Sequence, residues 1–250
     1  MSGRETSGAG GSTPALRIWL EPGYDWGRFG VWMLDLPGCF AWRADRGTAL
    51  DAAIPRADAF AGWLAGHGEE ADGAPACDAR LEIVEEVAPT WEGDYERNAT
   101  FAADHRPVTA DEIERAVRWL GYARVDLERA IERLRAHEVA SGPLPTTGSD
   151  RDERESDETL RHLAGAEVWL SGRLDRTARY EGPPRYGDVG EYLVATRAWA
   201  VERVRDLFAR DPAMTGTDRM GETWTLAKVL RRLIYHSLDH LDELDRRLGA

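Results

Sequence analysis

The sequence is short of cysteine and of long apolar runs. The 250-residue chain has two cysteines, Cys39 and Cys77, and no Cys-x-x-Cys pair, which excludes a zinc ribbon and a dithiol redox motif. No apolar run approaches the ~18–20 residues that cross a bilayer. The N-terminal segment lacks the apolar stretch of a secretory signal peptide. We therefore expect a cytoplasmic protein outside the membrane, in which a disulfide bond is not favoured.

Positive charge is also scarce. Lysine and arginine number 32 against 45 aspartate and glutamate residues, which gives a net charge of −13, and Lys228 is the only lysine. No basic stripe and no alternation of aromatic and basic residues offsets this charge. Binding to nucleic acid is therefore disfavoured, because an acidic surface repels the phosphate backbone.

Two patterns of sequence meet near residue 105. Residues 1–14 are rich in glycine and serine and predict a disordered leader. Residues 15–100 predict a small α/β module with one helix, in which Thr48 is the expected N-cap and Pro55 kinks the helix or delays its start. The β-rich runs of this module lie at 16–21, 29–34, 40–44 and 79–89.

The second half, residues 105–250, predicts four long helices. Thr109 and Glu112 form a capping box before the first helix, Asp188 caps the third, and the fourth spans about 225–248. Each helix has one apolar stripe, and four such helices bury their stripes best as a four-helix bundle. The expected fold class is therefore α+β, a small α/β module followed by an all-α bundle.

Two histidines interrupt the apolar face of the last helix. On a helical wheel His240 lies within the arc of leucines and His236 at its edge, whereas Arg231 lies on the opposite side. The two histidines are four residues apart, the spacing at which two imidazoles bind one metal ion. His162 flanks the apolar stripe of the second helix.

Three imidazoles from two helices would form an open three-nitrogen metal site, as in catalytic centres. Neutral imidazole suits Zn, Ni, Fe or Cu. The alternative is that these partly buried histidines only form hydrogen bonds with their neighbours.

Two charged residues interrupt the apolar stripes of other helices. Glu167, in the second helix, is a candidate catalytic residue that would orient a ligand or act as a base. Arg124, in the first helix, is a candidate for binding an anionic substrate. For both residues the alternative is a side chain whose stem packs against the core while its charged end reaches water.

The histidine-containing helices resemble the DinB/YfiT-like superfamily over residues 105–250. The resemblance is carried by "LRHLAGAEVWL", which contains His162, and by "WTLAKVLRRLIYHSLDHLDELDRRL", which contains His236 and His240. It implies a four-helix bundle and a divalent metal ion held by three histidines and water. We expect this ion to be Zn or Ni. The resemblance also implies metal-assisted addition or transfer of a low-molecular-weight thiol, such as mycothiol or bacillithiol.

Residues 15–100 resemble a HicB-like α/β module through "DLPGCF" and "TALDAA". We expect this module to serve interaction or dimerisation, with Cys39 packed in the turn. Three function classes follow. They are a metal-dependent thiol transferase, a ligand-binding or stress-response module with a metal-stabilised dimerisation bundle, and a regulator derived from a toxin–antitoxin pair. The expected partners are a small-molecule thiol, an electrophile and a second copy of the chain.

Overall fold

The computed structural model describes residues 15–71, 79–141 and 156–249. The expected leader at residues 1–14 and Cys77 lie outside these ranges. Over the described residues the protein is a mixed α/β structure, with a four-stranded sheet in its N-terminal part and long helices in the rest. Among the described helices, none combines the length and the apolar character needed to cross a lipid bilayer.

The N-terminal sheet has the strand order β3-β2-β1-β4. β2 pairs antiparallel with both β1 and β3, and β4 pairs parallel with β1. All four strands coincide with the β-rich runs of the sequence, so that prediction is confirmed. The strands are β1 (Ala15–Gly23), β2 (Arg28–Trp32), β3 (Phe40–Arg43) and β4 (Arg80–Glu86).

Two helices, α1 (Arg46–Asp51) and α2 (Ala53–Gly66), connect β3 to β4. The prediction that Thr48 is the N-cap is wrong. Asp45 caps α1, because its carboxylate accepts hydrogen bonds from both the N–H group (3.0 Å) and the hydroxyl (2.7 Å) of Thr48, which leaves Thr48 inside the first turn. The chain breaks at Ala52 and Pro55 falls in the first turn of α2, where its missing N–H removes no helical hydrogen bond. The prediction of one helix is therefore wrong, because the chain forms two, and the expected disturbance near Pro55 is an interruption at Ala52.

Four long helices follow, and the caps of the first and the third confirm the predicted starts of these two helices. Thr109 Oγ1 accepts a hydrogen bond from the Glu112 N–H at 3.2 Å, and the Glu112 carboxylate accepts one from the Thr109 N–H at 2.8 Å. Asp188 caps the third helix through the Glu191 N–H at 2.8 Å. The helices are α3 (Ala110–Ser141), α4 (Ser156–Ser171), α5 (Val189–Arg210) and α6 (Leu226–Leu248). The main packing pairs are α3 with α6, α4 with α5, and α4 with α6.

Two short hairpins were not predicted. They pair β5 (Thr90–Glu92) with β6 (Tyr95–Arg97) and β7 (Thr215–Thr217) with β8 (Thr223–Thr225). Strands of three residues are too short to show the alternation on which strand prediction rests. β8 leads directly into α6, since Thr225 Oγ1 caps that helix by accepting a hydrogen bond from the Lys228 N–H at 3.0 Å.

The sheet and the long helices share one apolar core. Leu16, Ile18 and Leu20 of β1 belong to the same buried cluster as Val229 and Leu233 of α6. The core therefore continues across the point where the two sequence patterns meet.

The turn after β2 packs directly on α6. Gly38 has a φ of 93°, and a Cβ atom at this position would lie 2.3 Å from Ile234 Cγ2, so only glycine fits the contact. Cys39 is fully buried beside it, which agrees with its expected packing role. Burial raises the pKa of Cys39 to about 12, so its side chain is a neutral thiol.

A polar contact also joins the end of α2 to α3. The Glu69 carboxylate accepts hydrogen bonds from Arg118, Trp119 and Tyr122 at 2.8–2.9 Å. The Arg118 hydrogen bond is the main reason why the pKa of Glu69 falls to about 2 from its ordinary 4.5. The ionised Glu69 carboxylate therefore connects the N-terminal part to the first long helix.

We expect Glu69→Gln to lower the free energy of unfolding by about 1.5–3 kcal/mol at neutral pH, because hydrogen bonds to a charged group are lost. A carboxylate whose pKa is lowered by folding contributes stability above its unfolded pKa and loses it as the pH falls through its folded pKa. The difference in free energy of unfolding between wild type and variant, measured with urea, should therefore shrink as the pH falls from 4.5 toward 2. The exposed neighbour Glu70 supplies the control, Glu70→Gln, which should change little. A pH-independent difference would contradict the assignment.

Candidate metal centre

Helix α6 is fixed at both ends and places two histidines in its middle. Thr225 caps its first turn, and Gly249 ends it in the left-handed conformation with a φ of 72°. Between these caps His236 is partly buried and His240 is buried. Their four-residue spacing puts both rings on the side of α6 that packs against α4, where His162 is located.

The three predicted histidines come together. The Nε2 atoms of His162 and His236 are 3.2 Å apart, and the three ring centroids are 4.7–5.1 Å from one another. One nitrogen from each ring can be chosen so that all three lie within 4.8 Å of one another. Three nitrogens at ~2.0–2.1 Å from one zinc ion would be ~3.3 Å apart in a tetrahedral arrangement. The rings are therefore close enough to hold a metal ion after side-chain shifts on the order of 1 Å.

A buried carboxylate orients His240. His240 Nδ1 lies 2.7 Å from Glu243 Oε2, and both side chains are buried. Because an ionised carboxylate only accepts hydrogen bonds, the contact assigns the ring proton to Nδ1 and leaves Nε2 free to bind a metal. Glu243 Oε1 is buried and has no hydrogen-bond partner among the described residues.

Glu243 is the residue that the sequence analysis missed. The signal was present in the spacing of His240 and Glu243, since side chains three positions apart share a helix face. A glutamate in the last turns of a charged helix is typical of a solvated residue, so the apolar pattern of the helix alone does not single out Glu243.

Glu167 and Arg124 lie together in an ion cluster. Glu167 Oε1 accepts hydrogen bonds from Arg124 at 2.9 Å and from Arg197 at 2.5 Å. Glu167 is only 4% exposed, and the side chain of Arg124 is 12% exposed. The alternative in which the charged end reaches water is therefore wrong for Glu167, whereas Arg124 is only partly buried. The cluster ties α3, α4 and α5 together, because Arg197 also donates to the Leu120 carbonyl.

A cavity lies between the N-terminal part and α6, and the carboxylate partner of His240 belongs to its lining. Its volume is about 1020 Å³, and its lining includes Tyr235, Asp239 and Glu243. The Tyr235 hydroxyl lies 2.8 Å from the Tyr24 hydroxyl in a buried contact. Burial raises the pKa of Tyr24 to about 12, so this phenol is neutral. The N-terminal part therefore supplies one wall of a space that borders the carboxylate behind His240.

Comparison of the chain with protein-family models, with curated proteins and with solved structures gives no match. The functional argument therefore rests on the residues of the site and on their geometry.

We expect His240→Ala to abolish stoichiometric binding of Zn or Ni to untagged protein, because one of three nitrogen donors is lost. Metal content after loading and desalting is the measurement, and circular dichroism checks that the helices remain. His162→Ala repeats the test at a partly buried position in case the loss of buried His240 disturbs folding. The exposed His105 supplies the control, since His105→Ala should keep full metal content. Stoichiometric metal in either ligand variant would show that the ligand set is wrong.

A second expectation concerns the carboxylate behind His240. Glu243→Gln keeps the size of the side chain but removes its charge, and loss of such a partner weakens metal binding by roughly 10–100-fold. Competition against a chromogenic chelator measures this change. Glu202→Gln, at an exposed position of α5, should leave the affinity unchanged. Equal affinities in wild type and Glu243→Gln would assign Glu243 a purely structural role.

Proposed function

We propose that the protein is a metal-dependent transferase of the DinB/YfiT-like kind, which joins a low-molecular-weight thiol to an electrophile. The observation that supports this proposal most is the convergence of His162, His236 and His240 within 4.8 Å. We also propose that α3–α6 form the four-helix bundle of that superfamily. The order of the helices, their packing pairs and the placement of the histidines on α4 and α6 support this proposal.

The donor set fits a divalent transition-metal ion. Three neutral imidazoles suit Zn or Ni, and they leave coordination positions open for water or substrate. Neutral ligands do not offset the positive charge of the ion, and Glu243 supplies one negative charge behind His240. When bound, a divalent ion in this site would favour the thiolate form of a thiol substrate at neutral pH.

The residues of the chain would orient the reactants. The Glu243 carboxylate keeps the His240 proton on Nδ1, so that Nε2 is presented to the site. Glu167 Oε1 accepts hydrogen bonds from two guanidinium groups, so it is already engaged in the ion cluster. Glu167 is therefore better assigned to positioning Arg124 and Arg197 than to proton transfer. Arg124 stays the proposed group for an anionic part of the substrate.

The proposed reaction is a nucleophilic substitution or addition at carbon. The thiol proton passes to solvent, and the sulfur electron pair forms a bond to the electrophilic carbon. In a transfer a leaving group departs with the electron pair of the broken bond. In an addition the carbon next to the attacked one accepts a proton from solvent. No oxidant or reductant is needed in either case.

The experiment loads untagged protein with Zn or Ni and supplies mycothiol or bacillithiol together with monochlorobimane. Formation of the fluorescent thioether is followed against thiol and electrophile without protein. We expect a rate increase that is lost in His240→Ala and kept in His105→Ala. No increase with either thiol would contradict the transferase proposal.

The same preparation distinguishes the alternative functions. Thiol binding without turnover would favour the ligand-binding or stress-response module, and dissociation of a homodimer on chelation would identify the metal as a stabiliser of dimers. A fully folded protein that takes up no metal and binds no thiol would favour the third function, a regulator derived from a toxin–antitoxin pair.

A further inference from the structure

A second cavity lies on the other side of α6 from the histidine cluster. Its volume is about 310 Å³, and it is lined by β1, the turn after β2, residues 103–108, α3 and α6. Ala227, Arg231 and Ile234 are among the residues that line it from α6. At about 100° per residue these three positions lie on the opposite side of the helix from His236 and His240. The cavity is therefore separate from the candidate metal centre.

The lining combines apolar walls with an excess of positive charge. Trp19, Trp119, Leu230 and Ile234 supply apolar surface. The charged lining residues are four arginines and three carboxylates, which leaves one positive charge: Arg17, Arg106, Arg115 and Arg231 against Asp35, Asp104 and Glu112. This excess is local, since the whole chain carries −13. A ligand with one negative charge would make the lining neutral.

The arginine that lies deepest is held in place but keeps an unused donor. Arg231 is 2% exposed, and its Nε and Nη2 atoms both donate to the Asp104 carboxylate at 2.9 Å. Its Nη1 atom is buried and has no hydrogen-bond partner among the described residues. The two bonds to Asp104 fix the plane of the guanidinium group, so the direction of Nη1 is fixed as well.

A second unused donor lines the same cavity. Trp19 is 1% exposed, and its Nε1 atom is also buried without a partner among the described residues. Indole Nε1 and guanidinium Nη1 only donate hydrogen bonds. A buried donor without an acceptor has lost its hydrogen bond to water, and no hydrogen bond within the protein replaces it. Two such donors in the lining of one cavity therefore favour a ligand that accepts hydrogen bonds.

We propose that this cavity binds a small monocarboxylic acid with an apolar body. The carboxylate would accept hydrogen bonds from Arg231 and Trp19, and the apolar body would lie against Trp119, Leu230 and Ile234. The volume is at the lower end of ~300–1,000 Å³ for small-molecule sites, which fits a single ring or a short chain. A phosphate dianion fits less well, because its two negative charges exceed the one net positive charge of the lining. It also has no apolar part to contact the apolar walls.

The test uses 3-phenylpropionate as the probe, with uncharged 3-phenylpropanamide and inorganic phosphate as comparisons. Isothermal titration calorimetry on metal-free protein measures affinity, so the result does not depend on the proposed function of the histidine site. We expect the acid to bind at least tenfold more tightly than the amide or phosphate. Equal binding of acid and amide, tighter binding of phosphate, or no binding of the acid at millimolar concentration would overturn the proposal.

Variants locate the binding to this cavity. Trp19→Phe removes one donor and keeps most of the ring, and we expect it to weaken acid binding about fivefold. Ala227→Leu fills space between the sheet and α6 and should abolish binding. Trp63→Phe also removes an indole donor, but Trp63 lies outside this cavity and bonds Asp126, so affinity should stay unchanged. Unfolding in urea checks each variant. Unchanged affinity in a folded Trp19→Phe and a folded Ala227→Leu would place the probe elsewhere.

Discussion

Helix α6 is buried on both sides, and the rest of the structure depends on this constraint. The other long helices cover one side, and the sheet with residues 99–104 covers the other. A polar side chain on such a helix must find a partner inside the protein, because water cannot supply one. Lys228, Arg231, His240 and Glu243 are all at most 2% exposed. Their partners are therefore the contacts that fix the helix.

The contacts of Lys228 show how the helix is fixed. Its Nζ atom lies 2.8–3.0 Å from the Asn98 carbonyl, Thr100 Oγ1, Glu222 Oε1 and the Thr223 carbonyl. Burial lowers the pKa of Lys228 to about 8, although the nearby Glu222 carboxylate opposes the shift. A rotation of α6 would break these bonds and bury an unpaired ammonium group. The same rotation would separate the histidines from His162, so the polar contacts on the sheet side hold the histidine side in register.

The features that could be predicted from the sequence are those that depend on near neighbours in the chain. The capping box at Thr109 and Glu112, the cap at Asp188 and the four-residue spacing of His236 and His240 are local features, and a regular helix carries them into the structure. What depends on distant contacts was missed. Arg231 lies opposite the histidines on the wheel, but it is buried because Asp104 and β2, which lie more than a hundred residues earlier in the chain, cover it. The N-cap of α1 was also predicted wrongly, because Asp45 and Thr48 are both good N-cap residues. The Asp45 carboxylate is the cap because it accepts hydrogen bonds from two donors of Thr48.

The balance of buried charge favours a cation over hydrogen bonding alone at the histidines. In the alternative, three neutral imidazoles bond their neighbours and Glu243 stays buried as an ion. One of its oxygens accepts a bond from His240, but the other has no partner among the described residues. A buried carboxylate with a single hydrogen bond is unfavourable unless positive charge lies close to it. A metal ion on Nε2 of His240 would place positive charge across the same ring, and the imidazole would transmit part of it to Nδ1–H. The carboxylate that makes this helix costly to bury is therefore the group that a metal ion at His240 would stabilise.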